Sequence, residues 1–149
     1  MVGLAKVGSS LKINKPIEEV FDYFADLHNG PAIIPNLIEN TNIVPDKTGR
    51  GQKFNWRYNL AGVDLTGDGI VTRYERPNLV EYKTTGGGVS TWIYKFDEDD
   101  GGTKVTVEVD YELPEGVLKK IGNASVVDKL NQHSAEGMLK NLKTILEET

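Results

Sequence analysis

The chain has 149 residues, 17 Lys and Arg against 22 Asp and Glu, a formal net charge of −5 and no Cys. That length supports one hydrophobic core without disulfides or a structural metal, so a single domain over residues 1–149 is expected. The absence of thiols excludes a disulfide framework, a cysteine nucleophile and a Cys-ligated metal; the scattered basic residues form no stripe that would draw a nucleic acid.

No window approaches the ~18–20 apolar residues of a membrane span, and the opening "MVGLAKVGSSLKINKP" lacks a sustained apolar run. No integral membrane segment is expected, and the composition fits a reducing cytoplasm.

In chain order, a loose period of two through Val7, Ser9, Leu11 and Ile13 reads as a first strand, ended by Asn14 and Pro16. "NKPIEEVFDYFADLHNG" then carries a helix-start signal, with Pro just inside, two Glu in the first turn, and Ile17, Val20, Phe21 and Phe24 on one face. Gly30 and Pro31 stop it. A second short helix is expected over "PAIIPNLI", limited by Pro35 to about two turns.

From residue 39 the pattern turns to strands. "ENTNIVP", "QKFNWRYNL", "VDLTGDGIVTRYE", "NLVEYKTT", "VSTWIYKFDE" and "TKVTVEVDYEL" are separated by Gly, Pro, Asp and Asn clusters. With the first strand they make about seven, at the short spacings of an antiparallel meander. In "KFNWRYNL" the aromatics Phe54, Trp56 and Tyr58 share one face; Trp92, Tyr94 and Phe96 repeat that alternation, and Tyr111 closes the face of Val105, Val107 and Val109. After residue 125 the period becomes 3.6: Val127, Leu130, Ser134, Met138, Asn141, Leu142 and Ile145 form one stripe of a helix to about residue 147, roughly 34 Å long.

This order describes an α+β domain: a curved antiparallel sheet wrapped around a long C-terminal helix, with two short helices after the first strand. One helix covers only part of such a sheet's inner face. The remainder either closes on bulky side chains or leaves a hollow.

The segments "INKPIEEVFDYFADLHNGPAIIPNLIE", "GRGQKFNW", "GIVTRYERPNLVEYKTTGG", "TWIYKFDEDDGGTKVTVEVDYELP" and "AEGMLKNLKTILEE" together resemble the helix-grip superfamily of START lipid-transfer domains, birch-pollen-type allergens and bacterial aromatase/cyclases. Within it, the chain is most similar to the polyketide cyclase/dehydrase-like group, also called SRPBCC. The resemblance covers nearly the whole chain and rests on strand edges, turn residues and the start of one helix, features that specify fold more than function. It implies a deep hydrophobic pocket between sheet and long helix. Phe54, Trp56 and Tyr58 would then line a cavity, whereas the residues alone leave cavity and packed core equally open.

Several residues could carry chemistry there. His133, at the edge of the helix stripe, is either a proton carrier reaching the pocket or a surface histidine. Gly137 would give clearance to a ligand or an aromatic ring, and Met138 faces either core or cavity. Arg73 is in phase with Leu65 and Val71 and would anchor a ligand oxygen, unless a bulge at Gly67 or Gly69 flips the strand and turns Ile70 and Tyr74 inward. Trp92, Tyr94 and Tyr111 offer apolar bodies with polar tips, and Asn141 is a polar group on the helix's buried side. "DEDDGG" reads as a solvated hairpin turn rather than a cation loop.

Three functions follow: a binding or carrier protein for a small hydrophobic molecule (aromatic, polyketide-like or acyl); a cyclase, dehydratase or isomerase; or a protein-interaction factor of the same fold. No cofactor or metal is expected, and a protein partner stays open.

Overall fold

Pro16 holds φ at −60° and has no N–H for a strand ladder, so β1 (Val2–Ile13) ends before it and α1 (Ile17–Ala25) starts at the next residue. In the computed structural model, which describes residues 2–122 and 124–148, α1 buries Ile17, Val20, Phe21 and Phe24. A 3-10 turn (Leu27–Asn29) leads into α2 (Gly30–Ile33), a single turn rather than the two expected. The ring of Pro35 confines Ile34 to extended backbone, φ −86° and ψ 115°, and the helix stops there.

The strands β2 (Leu37–Val44), β3 (Lys53–Leu60), β4 (Val63–Glu75), β5 (Leu79–Gly86), β6 (Val89–Asp99) and β7 (Gly102–Leu113) follow. With β1 they form one antiparallel, curved sheet in the order β1-β7-β6-β5-β4-β3-β2. The chain therefore crosses from one edge to the other through α1 and α2, then meanders back until β7 pairs with β1. Asp100 (φ 45°) and Gly101 (φ 80°) make the tight turn between β6 and β7, the solvated hairpin expected of "DEDDGG".

A short helix not anticipated, α3 (Glu115–Ile121), starts at Pro114 and buries Leu118. Two turns are too few for periodicity to reveal. The long helix α4 (Ala124–Glu147) comes last and packs chiefly on β1. Its buried face is Val127, Ser134, Ala135, Met138, Leu139, Leu142 and Leu146, with Leu130 and Ile145 partly covered.

Polar side chains of α4 also secure the β1 edge. Gln132 accepts from the Gly8 N–H at 3.3 Å and donates to the Gly8 carbonyl at 2.9 Å. Farther along, Lys143 donates to the Lys12 carbonyl at 3.2 Å and Glu147 accepts from the Asn14 N–H at 3.3 Å. Edge-strand backbone groups are thus occupied before another chain can pair with them.

One end of the inner face is filled by α1. Phe21 packs edge-on against Phe96 and Tyr74, at ring separations of 5.1 and 5.2 Å, and Phe24 lies 4.2 Å from the Tyr94 ring. Tyr74 faces inward because the β4–β5 register shifts between Val71 and Arg73. The phase change expected at Gly67 or Gly69 therefore lies farther along β4, and Ile70 stays 37 % exposed.

Met138 is fully buried. Met138→Ala should cost about 2–5 kcal/mol, seen as a lowered urea midpoint; an unchanged midpoint would remove Met138 from the core.

Candidate functional site

The aromatic face of β3 depends on two glycines in its neighbour. Phe54 pairs with Gly69 and Trp56 with Gly67. A Cβ on Gly69 would come within 2.2 Å of the Phe54 ring, and one on Gly67 within 2.6 Å of the Trp56 ring. The rings therefore lie across β4 where only glycine leaves room. Trp56 is held further by its indole N–H, which donates to the Asp68 carbonyl at 3.0 Å.

Beyond these rings lies a cavity partly open to solvent. Its walls are Phe54, Trp56 and Tyr58 of β3, Tyr82 and Thr84 of β5, and Ser90 and Trp92 of β6; Tyr111 and Asn131 stand on the side of β7 and α4. About 90 Å³ is reachable by the centre of a water molecule, and the free space including the mouth is about 720 Å³. At ~15 Å³ per centre the smaller volume alone holds several waters.

Hydrogen bonds fix the polar groups around this space. Tyr82 and Tyr94 share a phenol–phenol bond of 2.5 Å, while Tyr82 stacks on Trp92 at 5.6 Å and 16°. The Trp92 indole N–H donates to Ser90 Oγ at 2.7 Å, and that hydroxyl is bonded to Thr84 Oγ1. Near α4, Tyr58 and Ser134 hydroxyls lie 3.1 Å apart, and the Tyr111 hydroxyl donates to the Asp128 carboxylate. Burial pushes the phenols of Tyr58, Tyr82 and Tyr94 above their ordinary value of 10.0. Tyr111 is raised by burial first and by its bond to Asp128 second.

Of the residues nominated from sequence, Phe54, Trp56, Tyr58, Trp92 and Tyr111 come together around the cavity. Tyr94 does not. It sits behind Tyr82 and lines a smaller void of about 20 Å³ beside Phe24.

Arg73 is exposed and pairs with Glu75 at 3.1 Å, because the Val71–Arg73 shift turns it out. His133 lies on the exposed side of α4, one residue before the buried Ser134, and does not reach the cavity. Gly137 gives clearance to protein rather than ligand: a Cβ there would stand 3.0 Å from the Pro35 ring. Met138 belongs to the core. Asn141 is exposed, not on the buried side, and its amide donates to the Ile33 carbonyl at 2.8 Å, tying α4 to α2.

Tyr82, Thr84, Ser90 and Asn131 also line the cavity and are not among the residues nominated from sequence. The first two alternate with Val80 in β5, and Ser90 is in phase with Trp92 and Tyr94, so period two could have found them by following small polar residues as well as aromatics. Asn131 lies four residues after Val127 and three before Ser134, so the 3.6-residue spacing of the helix stripe could have found it in the same way.

Among the described residues, no group of three or more His, Asp or Glu is placed to hold a metal, and no helix is long and apolar enough to cross a membrane.

A curved seven-stranded antiparallel sheet with a long C-terminal helix is the helix-grip fold. The chain belongs to the family described as polyketide cyclase / dehydrase and lipid transport, whose model matches residues 5–147. No curated protein sequence matches it. Among solved structures, TTHA0849 from Thermus thermophilus is 20% identical, with a TM-score of 0.80 over 97% of this chain and 99% of that one. The Zhui aromatase/cyclase from Streptomyces sp. R1128 is 13% identical, with a TM-score of 0.80 over 98% and 95%. A START superfamily protein from Mycobacterium smegmatis is 16% identical, with a TM-score of 0.78 over 96% and 97%. At these identities the likeness is one of fold.

A phenol whose folded pKa lies above its unfolded value contributes stability that is complete below the unfolded value of about 10 and is lost as pH rises through the folded one. In an absorbance titration of the native protein Tyr58, Tyr82, Tyr94 and Tyr111 should therefore ionise at higher pH than a free phenol. Titration of all six tyrosines with a single midpoint near pH 10, that of a free phenol, with circular dichroism intact would contradict their burial.

Proposed function

We propose that residues 1–149 act as one cytoplasmic domain that binds or carries a small hydrophobic, ring-containing molecule in the cavity between sheet and α4. The observation behind this reading is the lining. Trp56, Tyr58, Trp92 and Tyr111 surround open space with flat apolar faces, while the nearby hydroxyls supply orientation rather than a nucleophile activated by a base. Membership of a family described by lipid transport as well as cyclase and dehydrase activity supports it.

A second reading, a cyclase or dehydratase, is favoured by one feature. Tyr111 holds its phenolic hydrogen against Asp128 at the cavity wall, a pair able to exchange a proton with a carbonyl bound beside it. The fold shared with the Zhui aromatase/cyclase is compatible with that chemistry.

Native mass spectrometry of protein purified from its own source should show a retained small molecule. With that molecule in hand, Trp92→Ala should weaken binding about tenfold or more, equivalent to ~1.4 kcal/mol, whereas His133→Gln should leave affinity within about twofold. Wild-type turnover that falls by about 10²–10⁴-fold in Tyr111→Phe would favour the enzyme over the carrier.

A further inference from the structure

The walls of the cavity contain an imbalance that bears on ligand charge. Among the described residues lining it there is no Lys, Arg or His. Arg57, between the wall residues Trp56 and Tyr58, is turned outward and meets Asp64 at 3.1 Å, and Arg73 on β4 is turned outward and meets Glu75 at 3.1 Å. Meanwhile Asp128 stands against Tyr111. A bound anion would give up water without meeting a counter-charge among the lining residues.

The same walls have a neutral donor to offer. Thr84 and Ser90 hold two hydroxyl hydrogens, and one of these makes their mutual bond. Ser90 also accepts the Trp92 indole N–H at 2.7 Å. Whichever hydroxyl donates within the pair, the other keeps its hydrogen, and both side chains line the cavity. A ligand oxygen placed there gains a hydrogen bond without bringing charge.

From this we infer that the cavity selects uncharged ring compounds bearing a ketone, quinone or phenol oxygen and rejects free carboxylates, with the Thr84–Ser90 pair as the oxygen-recognising group. The inference rests on the ligand-binding reading and adds to it the charge class of the ligand.

The test uses two probes of nearly equal shape, 2-acetylnaphthalene and 2-naphthoate, which differ by a methyl group against a charged oxygen. Both of the protein's tryptophans line the cavity, so quenching of their fluorescence, checked by calorimetry, reports binding there. At pH 7.5 the ketone should bind at least about tenfold more tightly than the carboxylate. Because the ketone is also the more apolar probe, two variants separate recognition from partition.

Asn131→Lys, which adds a cation at the wall on α4, should shift the ratio of affinities about tenfold towards the carboxylate. Thr84→Val, which keeps the shape and removes one hydroxyl, should weaken the ketone about three- to tenfold more than it weakens naphthalene. Equal wild-type affinity for the two probes, or an unchanged ratio in Asn131→Lys, would overturn the charge selection. A ketone weakened no more than naphthalene in Thr84→Val would overturn the role of the hydroxyl pair. Binding of neither probe, nor of naphthalene, would remove the ligand-binding reading itself and this inference with it.

Discussion

The structure depends on where α4 lies. The helix packs chiefly on β1, and its fully buried residues Met138 and Leu142 are spent on that side of the sheet. Seven strands cannot be covered by a helix placed so near one edge, and the polar bonds from Gln132 and Lys143 to β1 backbone hold it there. What happens over the rest of the inner face is decided by other elements.

At one end of that face α1 supplies the cover. Phe21 and Phe24 meet Phe96 and Tyr94, and the sheet closes as an ordinary aromatic core. At the other end no helix intrudes far enough, and the strand aromatics stand around open space. Tyr82 divides the two regions: its hydroxyl is bonded to Tyr94 on the packed side, and its ring stacks on Trp92 on the hollow side. The same residue type serves as core and as wall because a phenol combines a large apolar face with one group that needs a partner.

The hollow is shaped as much by residues that withdraw from it as by those that line it. Gly67 and Gly69 let the β3 rings lie across β4, and the register shift after Val71 turns Arg73 to solvent. Both features remove something from the wall, bulk in one case and charge in the other. Solved structures at 13–20% identity share the fold while most side chains differ, so the chemistry of this cavity follows from its own lining rather than from the fold.

The sequence alone determined the seven strands, α1, α2 and α4 and their order, though not the short α3. Period-two alternation marked the strands, Pro16 marked the start of α1, and the 3.6-residue stripe marked α4, because local sterics and the need to bury one face act over a few residues. The same alternation placed Phe54, Trp56, Tyr58, Trp92 and Tyr111 on the inner face. Only the tertiary structure decided which inner residues meet empty space. Tyr94 and Tyr82 follow the same alternation, yet Phe24, some 70 residues away in sequence, covers one while the other borders the cavity. For a related reason the stripe does not decide whether His133 faces cavity or solvent, and it puts Asn141 on the wrong side. A stripe gives the direction of a helix face to within a residue or so, and the boundary between buried and exposed falls where neighbouring elements stop, which for α4 is set by β1, Pro35 and the end of α2.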